Sequence, residues 1–239
     1  MRTVALTFLI LASTALGAGA ANAEGRTILI MDGSGSMWGQ INGKPKLEIA
    51  RESLRAVLKS TPPDLELGLM AYGHRQKGSC DDIELVIPPA KNTAAQINIA
   101  ADQMKFLGKT PLSAAVKKAA DDLKYAEEKA TVVLITDGVE TCSADPCALG
   151  KELEQTGADF TVHVVGFGLT ADEGKHVACL AENTGGKFIQ ASDAAQLEAA
   201  LKAAVAETRA KAPEPAPTPE PAKVEPSTKS GEGSEIEIE

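Results

Sequence analysis

The chain has 239 residues, with 24 basic against 33 acidic side chains, a formal net charge of −9, 3% aromatic residues and 4 cysteines. That length suits one ordinary domain with an appendage. The acidic balance argues against a nucleic-acid binder, which needs a Lys/Arg surplus, and the scarcity of aromatics argues against a stacking platform for bases.

The first element reads as a leader. Met1 and Arg2 give a short positive start, residues 4–16 form an apolar run of about 13 residues, and Ala21-Asn22-Ala23 supplies the small-x-small pattern of a secretory cleavage site. The run is too short for a bilayer span, which takes roughly 20 residues. No cysteine lies near the cleavage site to carry a lipid. Removing residues 1–23 predicts a mature chain of net charge −10, exported to the periplasm or beyond, with no membrane span.

Residues 26–31 (RTILIM) then form a short β-branched strand ending in a Gly/Ser loop, and residues 46–60 place Leu47, Ile49, Ala50, Leu54, Val57 and Leu58 on one helical stripe. Residues 65–72 alternate like a strand. Residues 82–87 follow after a turn with Gly78, and the two segments suit a hairpin that sets one of them antiparallel to its neighbours. Residues 93–107 and 112–126 read as helices. Residues 131–136 (TVVLIT) and 160–167 (FTVHVVGF) are continuous apolar strands of the sort buried on both faces of a parallel sheet. Helices over 146–155, 172–183 and 193–210, with a short strand over 187–190, complete a folded part spanning 24–212.

The end of the chain is different material. Residues 213–239 hold six prolines and seven glutamates against Lys223 and Lys229, and are expected to be extended and disordered. They carry −5 of the mature charge and leave the folded part only mildly acidic.

Strands alternating with helices predict an open, doubly wound α/β fold: a mostly parallel sheet with one antiparallel edge strand, flanked by helices. Ligands bind such sheets beyond the carboxyl ends of the strands, near the switch in strand order. The loops after Met31, Tyr72, Thr136 and Phe167 are therefore the ones to examine.

Three loops carry oxygen-bearing side chains. The first strand runs into Asp32-Gly33-Ser34-Gly35-Ser36, the fourth into Asp137-Gly138, and Gly108-Lys109-Thr110-Pro111 places a hydroxyl just before a helix. Asp32, Ser34, Ser36, Thr110 and Asp137 make an all-oxygen set of two carboxylates and three hydroxyls, which suits a hard cation such as Mg²⁺ or Mn²⁺ that keeps several waters. Taken singly, Ser34 and Thr110 are ordinary turn or capping residues; the case rests on their joint occurrence. A dinucleotide fingerprint fails, because Gly39 follows Gly33-x-Gly35 one residue too late.

The set resembles the metal-ion-dependent adhesion site of the von Willebrand factor type A (VWA) domain family, whose pattern is D-x-S-x-S after the first strand, a later Thr and an Asp after the fourth strand. The stretch Thr136–Cys142 (TDGVETC) is similar to secreted bacterial members. The resemblance spans residues 26–210. It implies that Ser34, Ser36 and Thr110 contact the metal, that Asp32 and Asp137 act mostly through bound water, and that a protein partner supplies an acidic oxygen to the open position. It also implies a binding module rather than an enzyme.

Other residues bear on this reading. Trp38, the only tryptophan, is a candidate partner contact or a cover over the site loop. Asp81 and Asp82 read as solvated turn residues. Four cysteines in an exported chain predict two disulfides. Right-handed crossovers set the helices of Cys147 and Cys179 side by side, favouring Cys147–Cys179 and Cys80–Cys142, with a local Cys142–Cys147 bridge as the alternative. Zinc from cysteines and His74 lacks the usual ligand spacing. His163 reads as a core histidine and His176 as a surface one. Two other functions keep a place: a metal-assisted envelope hydrolase with His74 as its base, and a metal-free structural protein whose tail does the work.

Overall fold

The computed structural model describes residues 25–210. The expected leader, residues 1–23, and the Pro/Glu-rich tail, residues 213–239, lie outside the described residues. In chain order the elements are β1 (Arg26–Asp32), β2 (Gln40–Ile41), β3 (Lys44–Pro45), α1 (Lys46–Ser60), β4 (Leu67–Tyr72), β5 (Ile83–Ala90), α2 (Ala94–Gln103) and α3 (Leu112–Asp122). They continue with β6 (Ala130–Thr136), α4 (Pro146–Thr156), β7 (Phe160–Phe167), α5 (Ala171–Asn183), β8 (Phe188–Ala191) and α6 (Ala194–Ala210).

Six strands form one sheet in the order β5-β4-β1-β6-β7-β8, and only β5 runs antiparallel to its neighbour. The expected fold class is therefore the observed one. Period-two alternation on the central strands divides the core between the two faces. Leu29 and Met31 of β1 with Val133 and Ile135 of β6 join residues of α1, α2 and α6 on one face. Ile28 and Ile30 with Val132 and Leu134 join residues of α3, α4 and α5 on the other. Every residue of β6 and β7 is buried, as their unbroken apolar runs require.

The helices are fixed locally as well. Asp145 caps α4 by accepting from the backbone N–H of Cys147 (2.8 Å) and Ala148 (3.2 Å), with Pro146 in the first turn. Thr170 and Glu173 form a reciprocal capping box at the start of α5.

Several details depart from the sequence reading, and β5 runs on to Ala90 rather than ending at 87. α2 stops at Gln103 rather than 107, because Phe106 turns into the core and the chain runs on as a loop to Pro111. α3 stops at Asp122, where Lys124 adopts φ +56° and the Tyr125 N–H reaches the Ala120 carbonyl (3.1 Å). Between β1 and α1 lies a small antiparallel ribbon, β2–β3, that periodicity missed. Asn42 and Gly43 close it with φ of +52° and +79°, the two left-handed residues of a tight hairpin turn.

The four cysteines form two disulfides: Cys80 bonds to Cys142, and Cys147 on α4 bonds to Cys179 on α5. Gly150 lets those two helices approach, since a Cβ there would lie 3.2 Å from the Leu180 Cα. His163 is buried and accepts from the Lys187 N–H (3.2 Å), and His176 is exposed.

Candidate functional site

β1 lies between β4 and β6, so the chain winds in opposite directions from its two sides. Its carboxyl end is the switch point, where the flanking connections diverge and leave a crevice. Asp32 is the last residue of β1 and is fully buried. One carboxylate oxygen accepts the Ser34 N–H (2.7 Å), and the other accepts the Thr136 hydroxyl (2.9 Å) and lies 3.4 Å from the Asp137 N–H. Thr136 in turn accepts from the Tyr72 hydroxyl (3.1 Å), so strands β4 and β6 both brace this one carboxylate.

The Asp32 turn hands the chain to a 3-10 turn over Gly35–Trp38. There the Ser34 and Ser36 hydroxyls lie 2.7 Å apart, and Ser36 donates to Asp137 Oδ1 (2.5 Å). Thr110 closes the group from the third loop: a Cβ built on Gly138 would lie 3.7 Å from Ser36 Oγ and 4.0 Å from Thr110 Oγ1. Asp32, Ser34, Ser36, Thr110 and Asp137 thus come to one spot, although three loops supply them. Burial, and then the neighbouring Asp137 charge, push the Asp32 carboxyl above its ordinary range against the opposing hydrogen bonds from Ser34. Burial and the Asp32 charge raise the Tyr72 hydroxyl well above its usual value too.

Backbone contacts made by glycines hold the loops together. Gly33 donates to the Tyr72 carbonyl (2.8 Å), Gly108 donates to the Gly73 carbonyl (2.7 Å), and Gly35 donates to the Gly108 carbonyl (3.1 Å). A Cβ on Gly33 would meet the Tyr72 carbonyl at 2.5 Å, and one on Gly108 would meet Gly73 Cα at 2.5 Å. Only residues without a Cβ let the three main chains touch.

The stretch after Asp137 fastens the Thr110 loop. Thr141 exchanges two hydrogen bonds with Thr110, accepting its N–H at Oγ1 (2.8 Å) and donating its own N–H to the Thr110 carbonyl (3.1 Å). The Glu140 carboxylate accepts the Ser113 N–H (2.9 Å) at the start of α3 and the Cys142 N–H (2.7 Å). Cys142 then ties this loop to the β4–β5 loop through Cys80. Glu140 and Thr141, quoted only as part of a motif, are thus the residues that place Thr110.

Two side chains depart from the sequence reading or escaped it. Asp82 is not a solvated turn residue: it is fully buried and accepts from the Arg75 N–H (2.6 Å), the Gln76 N–H (2.8 Å) and Arg75 Nε (2.8 Å). Its neighbour Asp81 is exposed. Lys46, the first residue of α1, sends Nζ to Asp137 Oδ2 at 3.0 Å. A cation at a helix N-terminus opposes the helix dipole, and that mismatch is the one sequence signal that marks Lys46.

The rim is partly apolar. Trp38 is 58% exposed while its Nε1 donates to the Phe106 carbonyl (2.8 Å), so it covers the loop with one edge and faces outward with the rest. Leu107 on the neighbouring loop is 40% exposed. His74 bonds through Nε2 to Glu84 (2.9 Å) on β5 rather than to either serine. With all four cysteines in disulfides, no thiolate is left for zinc. Among the described residues no three His, Cys, Asp or Glu side chains form a metal cluster, so any cation here rests on hydroxyls as well as carboxylates.

The family model of the von Willebrand factor type A domain matches residues 27–140. The uncharacterised protein YwmD of Bacillus subtilis (strain 168) is 28% identical over 187 residues, covering 74% of this chain and 84% of YwmD. The pilus adhesin SpaC from Lactobacillus rhamnosus GG shares the fold with a TM-score of 0.62 at 17% identity, over 78% of this chain and 31% of that one. A von Willebrand factor type A structure from Catenulispora acidiphila has a TM-score of 0.61 at 19% identity, over 78% of this chain and 43% of that one. The chain therefore spans less than half the length of either solved chain. The family model thus spans just under half of the chain, and the solved structures share its fold.

Proposed function

We propose that this VWA domain is an exported binding module that holds Mg²⁺ or Mn²⁺ at Asp32, Ser34, Ser36, Thr110 and Asp137 and recognises an acidic group on a protein partner. The observation that carries the reading is the meeting of these five oxygen-bearing side chains at the carboxyl end of β1, in the family's order. Their chemistry fits a hard cation, since the set holds two carboxylates, three hydroxyls and no nitrogen or sulfur. The raised Asp32 carboxyl fits too: two buried acids repel one another, and a bound divalent cation relieves that repulsion.

When bound, such a cation supplies a strongly positive position open to one more oxygen ligand. The protein's own part is to hold the geometry. Thr136 and the Ser34 N–H fix Asp32, Ser36 and Lys46 fix Asp137, and Thr141 fixes Thr110. Three hydroxyls add no charge, so the loaded site stays electrophilic towards a partner's carboxylate. Trp38, exposed at the rim, is the proposed apolar anchor beside it. Export is supported by the two disulfides and by the cleavage pattern at Ala21-Asn22-Ala23.

The test is a calorimetric titration of the full chain with Mg²⁺, run beside Asp32→Ala. Wild-type protein is expected to release or absorb heat saturably and to gain thermal stability with Mg²⁺, by about 2.7 kcal/mol at one hundred times Kd. Asp32→Ala is expected to show neither response. Equal heats from the two proteins would remove the cation site.

A further inference from the structure

Among the described residues Lys46 is the cation paired with a site carboxylate, and its placement has local costs. It opens α1, where the positive end of the helix dipole repels an ammonium and Pro45 offers no side-chain cap. Its side chain is 15% exposed, and that of its partner Asp137 is fully buried, so both have surrendered hydration. The backbone makes room for it. A Cβ on Gly168 would lie 3.1 Å from Lys46 Cε and 3.3 Å from Nζ, and one on Gly39 would lie 3.6 Å from Cε. Gly168 also has φ +67°, a conformation that disfavours any other residue. The Lys46 N–H meanwhile donates to the Gly39 carbonyl (2.7 Å), which fixes where the stem begins.

The stem thus runs through a slot walled by two glycines and ends on Asp137 Oδ2 (3.0 Å), while Ser36 holds Oδ1 (2.5 Å). Both oxygens of this carboxylate are engaged from within the chain. A cation that uses Asp137, directly or through water, must share it with a positive charge that cannot diffuse away. We propose that Lys46 is a tethered cation that competes with the divalent cation for Asp137 and so sets the affinity of the site. This inference rests on the cation-site reading above.

The same ammonium has an opposite effect on the next ligand. Two carboxylates and one lysine leave the site at −1, and a divalent cation takes it to +1, whereas without Lys46 the loaded site is neutral. The lysine weakens retention of the cation alone but keeps the loaded site attractive to an acidic partner.

The experiment titrates the full chain with Mn²⁺ and reads the free ion by electron paramagnetic resonance, for wild type, Lys46→Met, Lys46→Arg and Asp32→Asn. Removing one positive charge from beside a doubly charged ion in a partly buried site is expected to tighten Mn²⁺ by about tenfold or more in Lys46→Met. Lys46→Arg, which keeps the charge, is expected to stay near wild type. Thermal melts supply a second readout. In EDTA, Lys46→Met is expected to melt below wild type, because Asp137 has lost its partner; in saturating Mn²⁺ that gap closes. Equal or weaker Mn²⁺ binding by Lys46→Met, with wild type binding and Asp32→Asn silent, overturns the role of Lys46 and leaves the site standing. Failure of wild type to bind Mn²⁺ overturns the site itself and the inference with it.

Discussion

Replacing Asp82 by Asn removes a buried negative charge that three donors share: the Arg75 N–H, the Gln76 N–H and Arg75 Nε. Burial, the largest influence on this carboxyl, pushes its pKa up. The hydrogen bonds from Gln76 and Arg75 and the nearby His74 together outweigh it and hold the group below 3.8. A hydrogen bond to a charged group contributes about 1.5–3 kcal/mol. Arg75 is 43% exposed, so its ionic share is small, and the two backbone donors regain some water once the acceptor weakens. The net cost of Asp82→Asn at neutral pH is therefore about 2 kcal/mol, which for a domain of this size lowers Tm by about 4–8 °C.

The pH dependence has a definite sign. The folded-state pKa lies below the unfolded value, so falling pH protonates the unfolded chain first. The contribution of Asp82 is complete above the unfolded value of 3.8 and vanishes as pH falls through the folded one. Urea unfolding followed by the fluorescence of Trp38 is expected to show a gap between wild type and Asp82→Asn that is constant from pH 7 to about 5 and narrows towards pH 3. Equal urea midpoints at pH 7, or a gap unchanged by acid, would refute the reasoning.

Gly108→Ala is expected to cost about 2–3 kcal/mol in urea unfolding, because its Cβ meets Gly73 Cα at 2.5 Å, while Gly35→Ala, whose Cβ has only a carbonyl at 4.0 Å, leaves the midpoint within about 1 kcal/mol of wild type. Replacing Cys80 and Cys142 together by serine removes a cross-link between residues 62 apart and is expected to lower stability by about 2–4 kcal/mol, with weaker Mg²⁺ binding because Cys142 lies in the Asp137 loop and Cys80 in the β4–β5 loop whose Gly73 braces the Thr110 loop. Trp38→Ala is expected to change folding by about 1 kcal/mol or less but to weaken partner binding by about 2 kcal/mol or more, measured by surface plasmon resonance in Mg²⁺.

Much of this architecture was legible because its signals are local. The apolar runs of β6 and β7 need no partner to be recognised, and the D-x-S-x-S spacing sits within five residues of one strand end. Asp32, Ser34 and Ser36 could therefore be placed together, and strand order at the switch point brought Asp137 to them. What escaped depends on contacts that no local pattern encodes, several of them between segments far apart in sequence. Lys46 looks like the polar start of an amphipathic helix until Asp137, 91 residues later, lies beside it. Asp82 resembles any turn acid until the Arg75–Gln76 backbone curls around it. Gly33, Gly73 and Gly108 read as separate loop glycines, and only the folded chain stacks their backbones. The β2–β3 ribbon is different: Asn42-Gly43 marks it plainly, but two-residue strands carry no periodicity.

The borders of the sheet have a consequence of their own. β5, the long outer strand, carries Pro88 and Pro89 and shifts register twice against β4, while β8 at the far border is only four residues long. Proline presents no N–H to an approaching strand, an irregular ladder offers no continuous template, and four residues give little to zip onto. Neither flank invites a second molecule to extend the sheet, which guards the folded chain against fibre-like self-association. Under the proposed function, encounters with a partner are then left to the end that bears the loops, where Trp38 and the carboxylates lie.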